Sequence, residues 1–246
     1  MKSEAVKIDG IPVKIYSGSV REHTVLAVHG FGGSKDSSSI ESLARRLTER
    51  GFCVAAPDLP CHGERTDNLS ELTPQRCVSD ILAVEDWLSD NVDGDMSVFA
   101  TSFGGYCILR RLEVRENRFR RILLRVPAVN MADSLLRCVR LFQPDFTLEQ
   151  ARREGFRVKM AKEMHIPYSF YEQLSEQNEI RHSGCWDLPD IMVIYAGSDE
   201  LIPRCDTEEF LRLNPSVRSL CFEGSGHRMS ECIDEAIDKA AEFLLT

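Results

Sequence analysis

The sequence predicts an α/β fold: a mainly parallel sheet of about eight strands with helices on both faces, opened by an antiparallel hairpin. Two observations carry this expectation. Short apolar runs alternate along most of the chain with stretches whose apolar residues recur at helical spacing, and that alternation stops only once, between Pro127 and Trp186, before it resumes. In addition, the apolar run ending at Ala100 passes into Thr101-Ser102-Phe103-Gly104-Gly105, a serine among small residues at a strand-to-helix junction.

Each element has its own signal. Ala5 to Ile8 and Pro12 to Tyr16 flank Asp9-Gly10, a turn dipeptide that reads as a hairpin. Thr24 to Val28 reads as the first buried strand. Ser38 to Arg50 places Ile40, Leu43, Ala44 and Leu47 on one helical face and is closed by Gly51. Cys53 to Ala56 is the next strand, and Thr73 to Asn91 is a helix with Val78, Ile81, Leu82, Val84, Trp87 and Leu88 on its apolar side. Met96 to Ala100, a helical stretch beginning at Tyr106, and Ile122 to Val126 continue the series. Residues 128–186 then read as a helical cap inserted after the sixth strand. Its short helices are Ser134 to Phe142, Leu148 to Arg153 and Tyr168 to Gln177, punctuated by Pro144, Gly155 and Pro167. Ile191 to Ala196 and Leu220 to Phe222 return to the sheet, so residues 1–246 read as one domain carrying one insertion.

Composition bounds the function. The 246 residues are 43% hydrophobic and 28% charged, the profile of a single soluble core. A formal net charge of −9 disfavours nucleic acid and anionic membrane surfaces, which bind clustered Lys and Arg. The stretch Met1-Lys2-Ser3-Glu4-Ala5-Val6-Lys7 has no apolar core of a signal peptide, and no run reaches the length of a membrane span, so a cytoplasmic protein is expected. Nine cysteines are scattered, odd in number and without a CxxC pair, and His62 beside Cys61 has no second ligand pair at zinc spacing. Reduced thiols are expected, with no metal. Oligomeric state is not encoded in any feature of this kind.

Three segments carry chemistry. At a sharp strand-to-helix bend Ser102 projects its hydroxyl above the sheet rim, with Ala100 standing where the G-x-S-x-G pattern has its first glycine. Val25-Leu26-Ala27-Val28 runs into His29-Gly30-Phe31-Gly32-Gly33, a loop able to present unobstructed backbone N–H groups. Phe31 and Phe103 are the expected donors to a developing oxyanion, while His29, Gly30 and Gly104 shape the loop. Asp199 follows the strand ending at Ala196, and His227 follows the one ending at Phe222. The chain order Ser102, Asp199, His227 differs from that of both common serine-protease types.

With the His29-Gly30 loop, Asp58-Leu59-Pro60-Cys61-His62-Gly63, the Ser102 elbow, the Asp199 turn and the His227 loop in this order, the chain resembles the α/β-hydrolase superfamily over nearly its whole length. Within it the chain is most similar to small bacterial serine esterases with a short helical cap, a group that includes cinnamoyl and feruloyl esterases and monoacylglycerol-lipase-like enzymes. The resemblance implies a cofactor-free hydrolysis of a small-molecule carboxylic ester, with Ser102 as nucleophile, His227 as general base and acid, and Asp199 as the orienting acid. Thioesters, amides or peptides cleaved by the same triad, and a low-turnover ligand receptor on the same fold, are the alternatives. The cap aromatics Phe142, Phe146 and Tyr171 are expected to line an acyl pocket.

Overall fold

The computed structural model describes residues 1–17, 23–66, 69–92, 94–159, 163–176 and 190–246. The Asp9-Gly10 turn works as expected: both residues take positive φ (49° and 81°) and join β1 (Lys2–Ile8) to β2 (Ile11–Ser17) in antiparallel register. The buried runs β3 (His23–Val28), β4 (Cys53–Pro57), β5 (Asp95–Thr101), β6 (Phe119–Arg125), β9 (Asp190–Ala196) and β10 (Arg218–Phe222) complete an eight-stranded sheet in the order β1-β2-β4-β3-β5-β6-β9-β10. From β4 onward every pairing is parallel.

Strand alternation sorts side chains to two faces. Val25, Ala27, Phe99, Leu123 and Ile194 pack beneath α1 (Ser38–Thr48) and α8 (Ile233–Leu245), whereas Leu26, Val98, Ile122, Leu124 and Val193 belong to the opposite core with α2 (Pro74–Asn91) and α3 (Phe103–Val114). α2 starts at Thr73, whose side chain accepts the Arg76 N–H, with Pro74 at the first helical position. α2 and α3 are joined by a fully buried ion pair. Arg111 donates through Nε to Glu85 Oε2 at 2.7 Å and through Nη2 to Oε1, reaches the carbonyls of Arg115 and Glu116, and lies 4.8 Å from the Phe119 ring centre.

The insertion after β6 contains α4 (Met131–Arg140), α5 (Leu148–Glu154) and α6 (Tyr168–Glu176), near the expected helices. It also contains a small hairpin absent from the sequence expectations, β7 (Phe156–Lys159) against β8 (Glu163–Ile166). Four-residue strands give too little alternation to register as a period, although Phe156 and Val158 do point inward together. The expected end of the last cap helix at Gln177 and of the cap at Trp186 lie outside the described residues. α7 (Arg204–Leu213) and α8, unassigned above, complete the fold; α8 buries Ala236, Ile237, Ala240, Phe243 and Leu244 at helical spacing. No described cysteine forms a disulfide, and among the described residues no helix is long and apolar enough to cross a membrane.

Parallel register brings the strand ends level. Val28 pairs with Ala100, Thr101 with Arg125, Arg125 with Ile194, and Ala196 with Phe222. The loops that follow β3, β5, β6, β9 and β10 therefore emerge along one rim, where open parallel sheets bind ligands.

Candidate active site

Ser102 sits at φ 51°, ψ −113°, a left-handed conformation that a residue with a Cβ rarely adopts. The surrounding backbone holds it there: its N–H donates to Arg125 O (2.9 Å), and its carbonyl accepts from Tyr106 N (3.1 Å) and Ala128 N (3.0 Å). The small neighbours have measurable reasons. A Cβ on Gly104 would lie 2.5 Å from Val28 O and 2.6 Å from His29 O, and one on Gly105 would lie 2.9 Å from Pro127 Cβ. Ala100, by contrast, fits its methyl into the core at 0% exposure, so the first position of the elbow motif does not demand glycine here.

His227 Nε2 lies 3.1 Å from Ser102 Oγ, and Nδ1 lies 2.9 and 3.1 Å from the two carboxylate oxygens of Asp199. A carboxylate at Nδ1 fixes the proton there and leaves Nε2 to accept the serine hydroxyl. Asp199 is itself held: Oδ1 accepts the N–H groups of Leu201 (2.9 Å) and Ile202 (2.8 Å). Glu200, the neighbouring acid, has a different position. Its Oε2 accepts the backbone N–H of His227 at 2.9 Å and so anchors the histidine loop, a contact that sequence spacing does not reveal.

The loop after β3 packs directly on the elbow; a Cβ on Gly30 would meet Ser102 Cβ at 3.3 Å. His29 locks this loop from below. Its Nε2 accepts Leu59 N–H (3.1 Å), so Nδ1 carries the proton toward Gly30 O (2.8 Å). Complete burial lowers its pKa to about 4, which keeps the ring neutral. His62 packs edge-on against Phe31, and burial lowers its pKa to about 3. Asp58 ties the two loops together, accepting the N–H groups of Lys35 (2.7 Å) and Glu64 (3.0 Å) and the Lys35 ammonium (3.1 Å). Among the described residues no acceptor is bonded to the backbone N–H of Phe31 or of Phe103, whose rings meet edge-to-face at 5.2 Å.

The alpha/beta hydrolase family model matches residues 25–242. The chain belongs to that family. A search of the curated proteins finds no match. Among solved structures, the hydrolase resembles Est1E from Butyrivibrio proteoclasticus with bound ferulic acid, at 17% identity and a TM-score of 0.76, covering 98% of each chain. It resembles the Pyrococcus furiosus esterase Pf2001 at 17% identity and TM-score 0.68, covering 99% of this chain and 91% of that one. The epoxide hydrolase VrEH1 from Vigna radiata matches at 16% identity and TM-score 0.65, covering 99% and 97%. The likeness at these identities is one of fold, and the fold houses more than one reaction.

One expectation for the hydrolase needs correction. Ser102, His227, Phe31 and Gly30 line a cleft of about 450 Å³, and none of Phe142, Phe146 and Tyr171 lines it. Phe142 lies just past the end of α4 and is 57% exposed. Phe146 and Tyr171 instead pack on Phe156, with ring centres 5.7 and 5.3 Å away, in the insertion's share of the core that also holds Phe103 and Tyr106. A segment of this size must bury rings to hold itself together, and that demand uses them. Among the described residues of the insertion, Phe170 does reach the elbow, its ring centre 6.1 Å from that of Phe103 and 6.2 Å from that of Phe31. The same cleft also holds Arg125, whose place at a strand end gives no sequence signal of function.

Proposed function

We propose that this hydrolase cleaves carboxylic esters through an acyl-enzyme on Ser102. The observation that carries the proposal is the unbroken hydrogen-bond series from Asp199 through His227 to Ser102 Oγ, set beside two backbone N–H groups without acceptors among the described residues. Ser102 Oγ attacks the carbonyl carbon while His227 Nε2 takes its proton. Asp199 holds the imidazole in its tautomer and stabilises the imidazolium. Negative charge collects on the former carbonyl oxygen, where the N–H groups of Phe31 and Phe103 stabilise it, each worth about 3 kcal/mol in such sites. The C–O bond to the alcohol breaks as Nε2 returns the proton to the leaving oxygen. Water, deprotonated by the same nitrogen, then attacks the acyl carbon and frees Ser102. The insertion between β6 and β9 acts as the cap, with Phe170 as its contact to the elbow. The esterases among the structural neighbours favour an ester over an epoxide as substrate.

A fluorophosphonate probe and a panel of p-nitrophenyl esters test this. The expected result is stoichiometric labelling of the native protein, none of Ser102→Ala, and ester turnover that falls at least about 10³-fold in that variant. A native protein that neither reacts with the probe nor turns over any ester overturns the esterase reading in favour of a binding role.

A further inference from the structure

The cleft that holds Ser102 and His227 is cationic, which is unexpected on a chain of net charge −9. Arg125 and Arg228 both line it, and no Asp or Glu is among its described lining residues. Arg125 is only 7% exposed, and among the described residues its Nε and Nη1 have no hydrogen-bond partner. Buried guanidinium nitrogens in folded proteins are normally paired, because an unpaired buried charge is costly. Asp199 is the carboxylate in electrostatic reach of Arg125, but its oxygens are committed to His227 and to the amides of Leu201 and Ile202. Burial lowers the Arg125 pKa to about 10, which leaves it charged at neutral pH. Thr101, also in the cleft lining, has a buried Oγ1 without a partner among the described residues.

The start of α1 is also part of the cleft lining. Ser37, Ser38 and Ser39 line it, and the N-cap Ser37 makes no capping bond because its Oγ accepts Ser34 N–H instead. The Ile40 amide donates to Ser37 O (2.9 Å), whereas those of Ser38 and Ser39 have no acceptor among the described residues, so the positive end of the eleven-residue helix stands in the cleft lining. A buried guanidinium with two unpartnered nitrogens among the described residues, a second arginine and a helix start converge on one space beside Ser102.

From this convergence we infer that the substrate carries an anionic oxygen group, a carboxylate or a phosphate, that seats between Arg125, Arg228 and the first turn of α1. Arginine binds both groups through paired N–H donors, so the shared chemistry is a planar or tetrahedral oxyanion. This inference rests on the esterase reading and adds a substrate class to it.

The test compares four esters: p-nitrophenyl butyrate against its succinate half-ester, and butyrylglycerol against butyrylglycerol 3-phosphate. At least one charged ester is expected to exceed its neutral counterpart in kcat/KM by tenfold or more; the succinate pair reports an acyl carboxylate and the glycerol pair a phosphate on the alcohol. Arg228→Gln, at an exposed position that does not threaten folding, is expected to cut the charged-to-neutral ratio at least fivefold, chiefly through KM, and Arg125→Gln by more. If Ser102 reacts with the fluorophosphonate but both charged esters are no better than their neutral partners, or if the ratio is unmoved in Arg228→Gln, the anion inference falls and the esterase reading stands. If Ser102 is unreactive and no ester turns over, both fall.

Discussion

Replacing Asp199 by asparagine exchanges one acceptor oxygen of the hydrolase for a donor NH₂. The new side chain keeps an oxygen for the Leu201 and Ile202 amides, which now bond Asp199 Oδ1 at 2.9 and 2.8 Å, so the turn after β9 is preserved. Its remaining group is NH₂, a donor, facing His227 Nδ1 across the present 2.9 Å contact. Nδ1 must then accept, the ring proton moves to Nε2, and Nε2 can no longer take the proton of Ser102 Oγ. Loss of the productive tautomer costs about 10⁴-fold in kcat, or about 5.4 kcal/mol of barrier. Asp199→Ala adds a structural penalty, because two buried amides lose their acceptor; about 2–4 kcal/mol is expected, a fall in Tm of roughly 4–16 °C for a chain of this size. The assay is p-nitrophenyl ester turnover beside a thermal melt of each variant. Activity of Asp199→Asn within tenfold of the native protein, at an unchanged melt, refutes the reasoning and moves the acid role to another group, Glu200 first.

The buried Glu85–Arg111 pair bears on stability rather than turnover. Glu85→Ala leaves an unopposed buried guanidinium and is expected to cost about 3–5 kcal/mol, whereas Glu85→Leu with Arg111→Met removes both charges and costs much less. Urea unfolding of both proteins checks this, and equal losses would show that packing, not charge, governs the site. Acid sensitivity follows from His29 and His62, held near pKa 4 and 3 in the folded chain against about 6.5 when unfolded. Below about pH 6.5 the unfolded chain takes up protons that the folded one refuses, so stability falls by about 1.4 kcal/mol per pH unit for each ring until its folded pKa is passed. Between about pH 6 and 4.5 the slope in urea is expected to flatten by that amount in His62→Asn; an unaltered slope would mean that the ring is not kept neutral by burial.

Where the order of elements decides geometry, the sequence was a good guide. The Asp9-Gly10 hairpin, the parallel strands and the helices around Ile40 and Ile81 follow from turn chemistry and periodicity, and once parallel register aligns the strand ends, Ser102, Asp199 and His227 meet at the rim. Contacts between loops were not legible. Glu200 bonding the His227 amide, His29 bridging Gly30 to Leu59, and Arg125 Nε and Nη1 left without a hydrogen-bond partner among the described residues each depend on which loop folds against which. The rings expected in the acyl pocket lie elsewhere because hydrophobicity alone tells neither whether a ring is buried, as exposed Phe142 shows, nor against what. Phe146 and Tyr171 pack on Phe156, and Phe170, in the same helix as Tyr171, turns toward Phe31 and Phe103.

The twist at position 102 is enforced by three main-chain amides, and among the described residues no bond from the side chain to a backbone group contributes to it. Erasing the hydroxyl therefore leaves the bend in place, so an alanine there should yield an inert mould of the catalytic pocket, suited to capturing uncleaved ligands. Threonine is a different matter: its β-branch is stiff at χ1 and sits poorly on a backbone held at positive φ. On the proposed mechanism, the backbone at 102 therefore sets where the attacking oxygen stands, independently of that oxygen's own bonds.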